Sequence, residues 1–266
     1  MRKAGGVMTE ILYRITIVVF TLTLLFSCGN RNGETARNPA GSANTAENDT
    51  PVEYDWPAWN GPLKDRRSHE TDWDPLLVGS EDSMIWKIRV GMGFSGIAVS
   101  GPFLYTMGIE PVEGNIRKGN NVIYCLDFET GDEVWRFEYP GSRSQYPGPR
   151  AIPLIHEGKV YTIGQDGDLF CHDALSGETI WAVNIVEEHG AIVPEFGFVS
   201  TPVIDGTTLY LNAMTWGIAF DKDTGDLVWA SEKGECGYAP VEPFTYQGIR
   251  YAAVFAFAKL YIVEAA

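Results

Sequence analysis

The sequence has few of the residue groups that would identify a reaction. Its 266 residues include 4 cysteines and 4 histidines, and no pair has the Cys-x2-Cys or His-x3-His spacing typical of zinc ligands. Four cysteines in a chain of this length do not form the framework of a disulfide-stapled domain. A Gly-x-Ser-x-Gly elbow and a Gly-x4-Gly-Lys loop are also absent. These absences argue against hydrolase chemistry of that type and against a nucleotide-binding loop.

Positive charge is scarce as well. The chain has 20 Lys and Arg against 35 Asp and Glu, a formal net charge of −15. Nucleic acid is therefore excluded as an expected partner, because its recognition needs basic surfaces. The 45% of hydrophobic residues are enough to build a sizeable core. The 12% of aromatic residues, with 29 Gly and 15 Pro, favour many short strands and turns.

The amino-terminal hydrophobic run is too short to cross a membrane as a helix. Ile15–Phe26 has 12 residues where about 20 are needed, and basic residues precede it, which is typical of a signal peptide. It ends in Leu25-Phe26-Ser27-Cys28, which resembles a bacterial lipobox. We therefore expect residues 1–27 to be removed and Cys28 to carry the lipid that attaches the protein to the membrane. The alternative is an ordinary secretory signal followed by an unrelated cysteine.

The segment after Cys28 predicts a tether and a location. Residues 29–50 contain no aromatic residue and no Val, Ile or Leu, so they cannot bury enough apolar surface to fold. We interpret residues 28–54 as a flexible linker. Position 29 is Gly, so the Asp that retains enterobacterial lipoproteins at the inner membrane is absent. We expect an exported protein that is lipid-anchored in the envelope, at the periplasmic face of the outer membrane.

The remainder of the chain, residues 55–266, is built from repeats. The pattern Asp-x-x-Thr/Ser-Gly-x-x-x-Trp occurs three times, and its tryptophans are 46 and then 48 residues apart. Trp86 lies 49 residues before the first of them and marks a degenerate copy, with Asp82-Ser83 at the turn. Such a period is typical of propeller blades, each a four-stranded unit. The three copies are Asp127-Phe-Glu-Thr130-Gly131-Asp-Glu-Val-Trp135, Asp173-Ala-Leu-Ser176-Gly177-Glu-Thr-Ile-Trp181 and Asp221-Lys-Asp-Thr224-Gly225-Asp-Leu-Val-Trp229.

Each position of the repeat has a physical reason. The Asp side chain accepts hydrogen bonds from the turn, the Gly takes a positive φ, and the Trp fills the space between packed sheets. Two residues before each Asp stands a small residue, which we expect to leave room for the indole of a neighbour: Cys125, Cys171 and Ala219. This role explains two of the cysteines, whereas Cys236 stays unassigned. A second hairpin precedes each copy, so we predict four antiparallel strands per period.

The chain resembles a known family at these positions. The repeat resembles the tryptophan-docking motif of pyrroloquinoline-quinone (PQQ) type β-propellers, and Trp56-Pro-Ala-Trp59-Asn-Gly61-Pro62 resembles the opening of exported members. The resemblance implies an all-β propeller that closes with seven or eight blades. We count about four blades, at Trp86, Trp135, Trp181 and from Gly237 onward. We therefore expect a partial sequence; the alternative is a four-blade product that dimerises through its open ends.

A candidate binding face follows from the lengths of the connections. The long connections Gly108–Asn120, Tyr139–Gly148 and Ile185–Phe196 all leave the same side of the blades. Long loops on a rigid scaffold often carry binding sites; the alternative is that these connections are tolerated insertions. The two arginines of this face supply local positive charge for an anionic partner. The candidate residues are Arg143, Tyr146, Arg150, His189 and Glu195.

The resemblance leaves the function open. The family includes quinoprotein dehydrogenases and outer-membrane assembly lipoproteins. PQQ alcohol dehydrogenases carry adjacent cysteines near the cofactor, and this chain has no Cys-Cys pair. We favour a non-catalytic scaffold without a cofactor that binds an envelope protein or another ligand. One alternative is a PQQ- and calcium-dependent oxidoreductase of alcohols or sugars whose catalytic residues lie in missing blades. The other is carbohydrate binding by aromatics such as Tyr146 and Trp216.

Overall fold

A computed structural model of the chain describes residues 55–68, 70, 74–76, 78–79, 83–112, 115–141 and 146–265. Within these residues, no helix has the length and apolar character needed to span a membrane. The predicted signal peptide, its cysteine Cys28 and the linker lie outside the described residues, so those predictions stay predictions. The described residues form 15 strands.

The strands form four antiparallel sheets in which neighbours in sequence are neighbours in space. This up-and-down order is that of propeller blades, so the predicted all-β fold is confirmed. Sheet 1 contains β1 (Ala98–Ser100), β2 (Phe103–Val112), β3 (Asn115–Asp127) and β4 (Glu133–Pro140). Sheet 2 contains β5 (Leu154–His156), β6 (Lys159–Ile163), β7 (Asp168–Asp173) and β8 (Thr179–Asn184). Sheet 3 contains β9 (Val203–Asp205), β10 (Thr208–Leu211), β11 (Ile218–Asp221) and β12 (Leu227–Ala230). Sheet 4 contains β13 (Glu242–Tyr246), β14 (Ile249–Phe255) and β15 (Leu260–Glu264).

The core lies between consecutive sheets. The middle strands of the second and third sheets are largely buried along their length, as expected for strands covered on both sides, whereas β15 of the fourth sheet is exposed at alternate positions. Tyr161 and Leu169 of sheet 2 pack against Leu209 and Phe220 of sheet 3 in one buried cluster. Similar clusters join sheet 1 to sheet 2 and sheet 3 to sheet 4. Each sheet therefore buries its apolar surface only by stacking on its neighbours.

Two sequence predictions about this architecture are wrong in detail. Trp86 does not stand in a blade of its own, because the described residues around it form no strand before β1. The four observed sheets are instead the three that carry Trp135, Trp181 and Trp229 and the sheet formed by β13–β15. The predicted long loop Gly108–Asn120 is the end of the β2–β3 hairpin, in which Ile109 faces Asn121 and Glu110 faces Asn120. The Glu110 carboxylate stabilises this extension, since it accepts hydrogen bonds from Tyr124 and Arg136.

The segment that opens the described chain runs across the first strands of sheets 1 and 2. Trp56 exchanges backbone hydrogen bonds with Val99 of β1, at 2.8 and 3.0 Å. The carbonyl of Pro57 accepts a bond from the amide of Ile155 in β5, at 2.8 Å. The segment therefore covers strand edges that would otherwise offer unpaired backbone groups.

Candidate functional site

The repeated turns between the third and fourth strands are closed by their aspartates. Asp127 Oδ1 accepts bonds from the amides of Glu129 and Thr130, at 3.0 and 2.8 Å, and from the Thr130 hydroxyl. These bonds hold the pKa of Asp127 below its ordinary value, the bond from the Thr130 amide having the largest effect. Asp173 and Asp221 close the two following turns in the same way. In the described structure these carboxylates act as turn residues.

Each turn also receives a tryptophan from the preceding sheet or segment. The indole nitrogen of Trp135 donates to the carbonyl of Ala174 at 2.9 Å, and that of Trp181 to Lys222 at 3.0 Å. The indole nitrogen of Trp86 donates to the carbonyl of Phe128 at 2.8 Å. Trp86 therefore docks on sheet 1 although it belongs to no strand.

The glycine of each turn lets the indole approach. Gly177 has a φ of 72°, and a Cβ added there would lie 2.6 Å from the Trp135 ring. Gly131 meets Trp86 and Gly225 meets Trp181 in the same manner. Glycine is thus required twice at this position, for the left-handed backbone and for the contact.

The small residues of the repeat have a different neighbour from the one predicted. Cys125 is paired across the strands with Trp135, Cys171 with Trp181 and Ala219 with Trp229. The indole for which they leave room is therefore that of their own sheet. Burial raises the pKa of both thiols, Cys125 and Cys171, to about 11. These cysteines and Cys236 are free and buried, so none is an activated nucleophile.

The fourth sheet places Trp229 in an equivalent setting. The amide of Ala265 donates to the carbonyl of Arg250, close to the start of β14, the second strand of its sheet. In the other three sheets the corresponding amides, of residues 128, 174 and 222, donate to the carbonyl of the residue just before the second strand. Ala265 is buried in the cluster that includes Trp229. The Trp229 ring also stacks on Trp216, at 5.4 Å between ring centres. Trp216, considered above as an exposed ligand-binding aromatic, thus covers a docking tryptophan.

A buried histidine lies between sheets 1 and 2. His172 packs against Phe137, Phe170 and Trp135, with ring centres 4.6–6.1 Å away. Its Nδ1 is 3.2 Å from the Thr179 hydroxyl, whereas Nε2 is buried without a hydrogen-bond partner. Burial lowers the pKa of His172 to about 4. The imidazole is therefore neutral and belongs to the packing between the sheets.

The residues of the predicted binding face do not form one cluster. Arg143 lies outside the described residues. His189 is half-buried with its ring 5.5 Å from that of Phe220, which places it in the packing between sheets 2 and 3, and Glu195 is exposed. Tyr146 is exposed and its ring lies 6.2 Å from that of Phe196. Arg150 and Tyr146 are brought together, since the Arg150 guanidinium donates to the Tyr146 carbonyl.

A pocket lies where the first strands of the four sheets begin, and we call it the inner-strand pocket. Its volume is about 490 Å³, within the range of small-molecule sites. Four of its residues stand four positions before a first strand, one from each sheet: Phe94, Arg150, Val199 and Tyr238. Three more stand two positions before such a strand: Ile152, Thr201 and Pro240. Trp59 and Phe196 complete the lining.

Arg150 is the cationic residue of the lining. Its Nη1 donates to the Gly148 carbonyl and to Gln165 Oε1, both at 2.9 Å, and its Nη2 donates to Tyr146 at 2.6 Å. Its guanidinium carbon lies 4.9 Å from the centre of the Phe94 ring, a cation–π distance. Desolvation lowers the pKa of Arg150 from its ordinary value, yet an arginine stays charged.

The residues of the pocket do not suit the cofactor that the resemblance implies. PQQ is a planar tricarboxylate, whereas the lining offers one guanidinium and is otherwise aromatic, aliphatic or hydroxylic. In the described part of the chain, no three His, Cys, Asp or Glu side chains converge as metal ligands. The lining of the inner-strand pocket thus supplies neither the charge for PQQ nor the oxygens for calcium.

Sequence reasoning missed most of this lining. Trp59, Phe94, Tyr238 and Phe196 are its aromatic residues, and none of them belongs to the repeated motif. The residue types at the first-strand positions differ from sheet to sheet, so no sequence motif reveals them. Only their constant distance in sequence from the start of each first strand would have identified them.

The fold and the docked tryptophans define the class of PQQ-like β-propeller repeat proteins. The family described as outer membrane protein assembly factor BamB matches residues 119–256, and the chain belongs to this family. The quinoprotein alcohol dehydrogenase PedH of Pseudomonas putida is 31% identical over 106 residues, which are 37% of this chain and 16% of that protein. The quinohemoprotein alcohol dehydrogenase of Comamonas testosteroni is 26% identical over 145 residues, 50% of this chain and 20% of that protein.

The solved structure of an alcohol dehydrogenase agrees with the fold. The structure of the Comamonas testosteroni quinohemoprotein alcohol dehydrogenase superposes on this chain with a TM-score of 0.54 and 15% identity. The superposed part is 75% of this chain and 35% of that one. The structure of BamB from Moraxella catarrhalis superposes with a TM-score of 0.42 and 21% identity, over 65% of this chain and 50% of that one. The chain spans a fifth or less of the length of the curated relatives it matches.

Proposed function

We propose that this chain belongs to a lipid-anchored envelope propeller that binds a partner without catalysing a reaction. The family to which it belongs is described by a protein of outer-membrane assembly, which supports a role at the envelope. In this role Cys28 attaches the protein to the periplasmic face of the outer membrane. The inner-strand pocket and its rim contact the partner, for which we favour an envelope protein. No cofactor is required.

The observation that carries the proposal is the composition of the inner-strand pocket and its rim. The rings of Tyr146, Phe196 and Tyr238 follow one another at 6.2 and 6.0 Å, and all three are exposed. A contiguous exposed aromatic surface usually marks an interaction site. Among the lining residues, only Arg150 and Tyr238 are ionisable. The described pocket thus offers contact area, whereas a carboxylate or imidazole for acid–base chemistry is not part of its lining.

A crosslinking experiment in cells tests the partner. A photoreactive amino acid is placed at Phe196 in the pocket, which is 42% exposed. The matched control position is Tyr246, which is 60% exposed and lies at the end of β13 away from the pocket. We expect an adduct of defined mass from position 196 and none from 246. Equal crosslinking at both positions, or none at 196, would contradict the proposed site. A glycan array probed with wild type and Tyr146→Ala separates the carbohydrate alternative, for which only wild type would bind a glycan.

The alternative is a quinoprotein-like oxidoreductase, which is favoured by the similarity to alcohol dehydrogenases over up to half of the chain. In that case PQQ and calcium would be held with the help of residues beyond those described. Purified full-length protein is mixed with PQQ and Ca²⁺ and supplied with alcohols, sugars and a redox dye. We expect no dye reduction; substrate-dependent reduction would replace the proposed function by the alternative.

The lipid anchor has its own test. Cells are labelled with radioactive palmitate, and wild type is compared with Cys28→Ser. We expect label only in wild type, and release of the variant into the soluble periplasm. Labelling of neither protein, with wild type soluble, would favour an ordinary secretory signal.

A further inference from the structure

The aromatic rings at the inner-strand pocket and its rim are inclined to one another. Phe196 is inclined by 41° to Tyr146 and by 59° to Tyr238. Parallel rings would form a slot for a flat molecule, whereas inclined rings form a curved apolar wall. Trp59 and Phe94, 49% and 59% exposed, stand at the same pocket with much of their surface uncovered. Covering these rings is the main source of binding energy that the pocket offers.

Arg150 gives the pocket a positive charge that forms no direct ion pair with a described carboxylate; the charge of Asp166 acts on it only from beyond ion-pair distance. Its three hydrogen bonds all go to neutral oxygens and start from Nη1 and Nη2. In the described part of the chain, no carboxylate lies within ion-pair distance of Arg150, although other arginines have such partners, as Arg136 has in Glu110. Among the described residues, no acceptor lies within hydrogen-bond distance of the Arg150 Nε–H. Arginine binds acids through its adjacent N–H donors. A half-buried guanidinium in this state favours an anionic ligand.

We propose that the inner-strand pocket binds an apolar organic monoanion, with Arg150 at the acidic group and Trp59, Phe196 and Tyr238 around the apolar body. The pocket volume suits a body of a few rings or a short acyl chain. A single cation matches a single carboxylate or sulfonate, which separates this ligand class from tricarboxylate cofactors. The inference rests on the proposed function, because it names the ligand chemistry of the same binding end.

Two fluorescent probes with the same ring system test the charge. The anion 1-anilinonaphthalene-8-sulfonate and the neutral N-phenyl-1-naphthylamine are titrated into the full-length protein. We expect the anion to bind about tenfold more tightly, the size of one charge-assisted contact. Arg150→Met should remove that preference and leave the neutral probe unchanged. Phe196→Ala should weaken both probes. Lys259→Met, which removes an exposed charge outside the lining, is the matched control and should change neither.

A measurement on the wild type keeps the test valid if Arg150→Met unfolds. Added salt should weaken the binding of the anionic probe and leave the binding of the neutral probe unchanged, because only the anion interacts with the Arg150 charge. Equal affinity of the two probes for the wild type, or a preference for the anion that persists in Arg150→Met, would contradict the proposed binding of a monoanion. The proposed binding of a protein partner would be unaffected by either result. Conversely, a crosslinking experiment without an adduct would contradict the proposed protein partner. It would not contradict a preference for the anionic probe that depends on Arg150.

Discussion

The two ends of the sheets follow different rules. At the turn end, three successive turns repeat the same aspartate, glycine and docked indole with nearly the same distances. At the pocket end, the equivalent position four residues before each first strand is Phe94, Arg150, Val199 or Tyr238. Repetition marks the end that joins the sheets, and variation marks the end that is free to bind.

The reason lies in how tightly each end is packed. A docked indole must meet a glycine at contact distance and a carbonyl at hydrogen-bond distance, so few other residues satisfy the turn. The lining of the inner-strand pocket faces open space, where substitution changes the ligand more than the fold.

The largest expected difference is between a docked and an exposed tryptophan. Trp181 is 8% exposed, whereas Trp59 is 49% exposed. Trp181→Ala should lower the free energy of unfolding by about 3–5 kcal/mol, as for buried aromatic residues in general. Trp59→Ala should lower it by about 1 kcal/mol or less and weaken the binding of apolar probes instead. Urea unfolding of both variants measures the difference; equal losses would remove the distinction between the two ends.

The second prediction concerns pH and His172. Its pKa is about 4 in the folded protein and 6.5 ordinarily, so the unfolded chain binds the proton more readily between those values. Stability from the neutral imidazole is therefore complete above pH 6.5 and lost as the pH falls toward 4. The loss amounts to about 3 kcal/mol. Unfolding of wild type and His172→Gln between pH 7 and 4 measures it.

The variant His172→Gln should show a shallower pH dependence over that range, whatever its stability at neutral pH. His156→Gln is the control, because that side chain lies at the first turn of sheet 2 and is more than a third exposed. Identical slopes in wild type and His172→Gln would show that the imidazole is not held in the neutral form between the sheets.

The smallest effect separates two glycines with nearly equal backbone angles. Gly177 and Gly158 have φ values of 72° and 70°, but only Gly177 has a neighbour at the site of a Cβ. Alanine at either position should lower the free energy of unfolding by about 1–2 kcal/mol, because its side chain disfavours the left-handed backbone conformation. Gly177→Ala should cost about 1–3 kcal/mol more, because the Trp135 ring must move. Thermal unfolding of both variants gives the difference, and equal melting temperatures would contradict the tight docking of Trp135.

The turn end was predictable from the sequence, whereas Arg150 is the one lining residue of the pocket that the sequence analysis named as a binding candidate. Trp135 and Gly177 recur at a fixed interval because the same contact is made repeatedly, so spacing alone reveals them. The residues of the inner-strand pocket share a position and no residue type, which leaves no motif to find. The Gly108–Asn120 hairpin was mistaken for a loop because its charged and Gly-rich sequence hides the cross-strand contacts of Glu110.

Hydrogen exchange of the indole N–H groups, followed by NMR, tests the central claim most directly. The indole protons of Trp86, Trp135 and Trp181 are hydrogen-bonded to carbonyls of the next turn, whereas Trp59 is half exposed at the pocket. We expect slow exchange for the first three protons and fast exchange for that of Trp59. Equally fast exchange at all four would show that the tryptophans do not dock on the sheets.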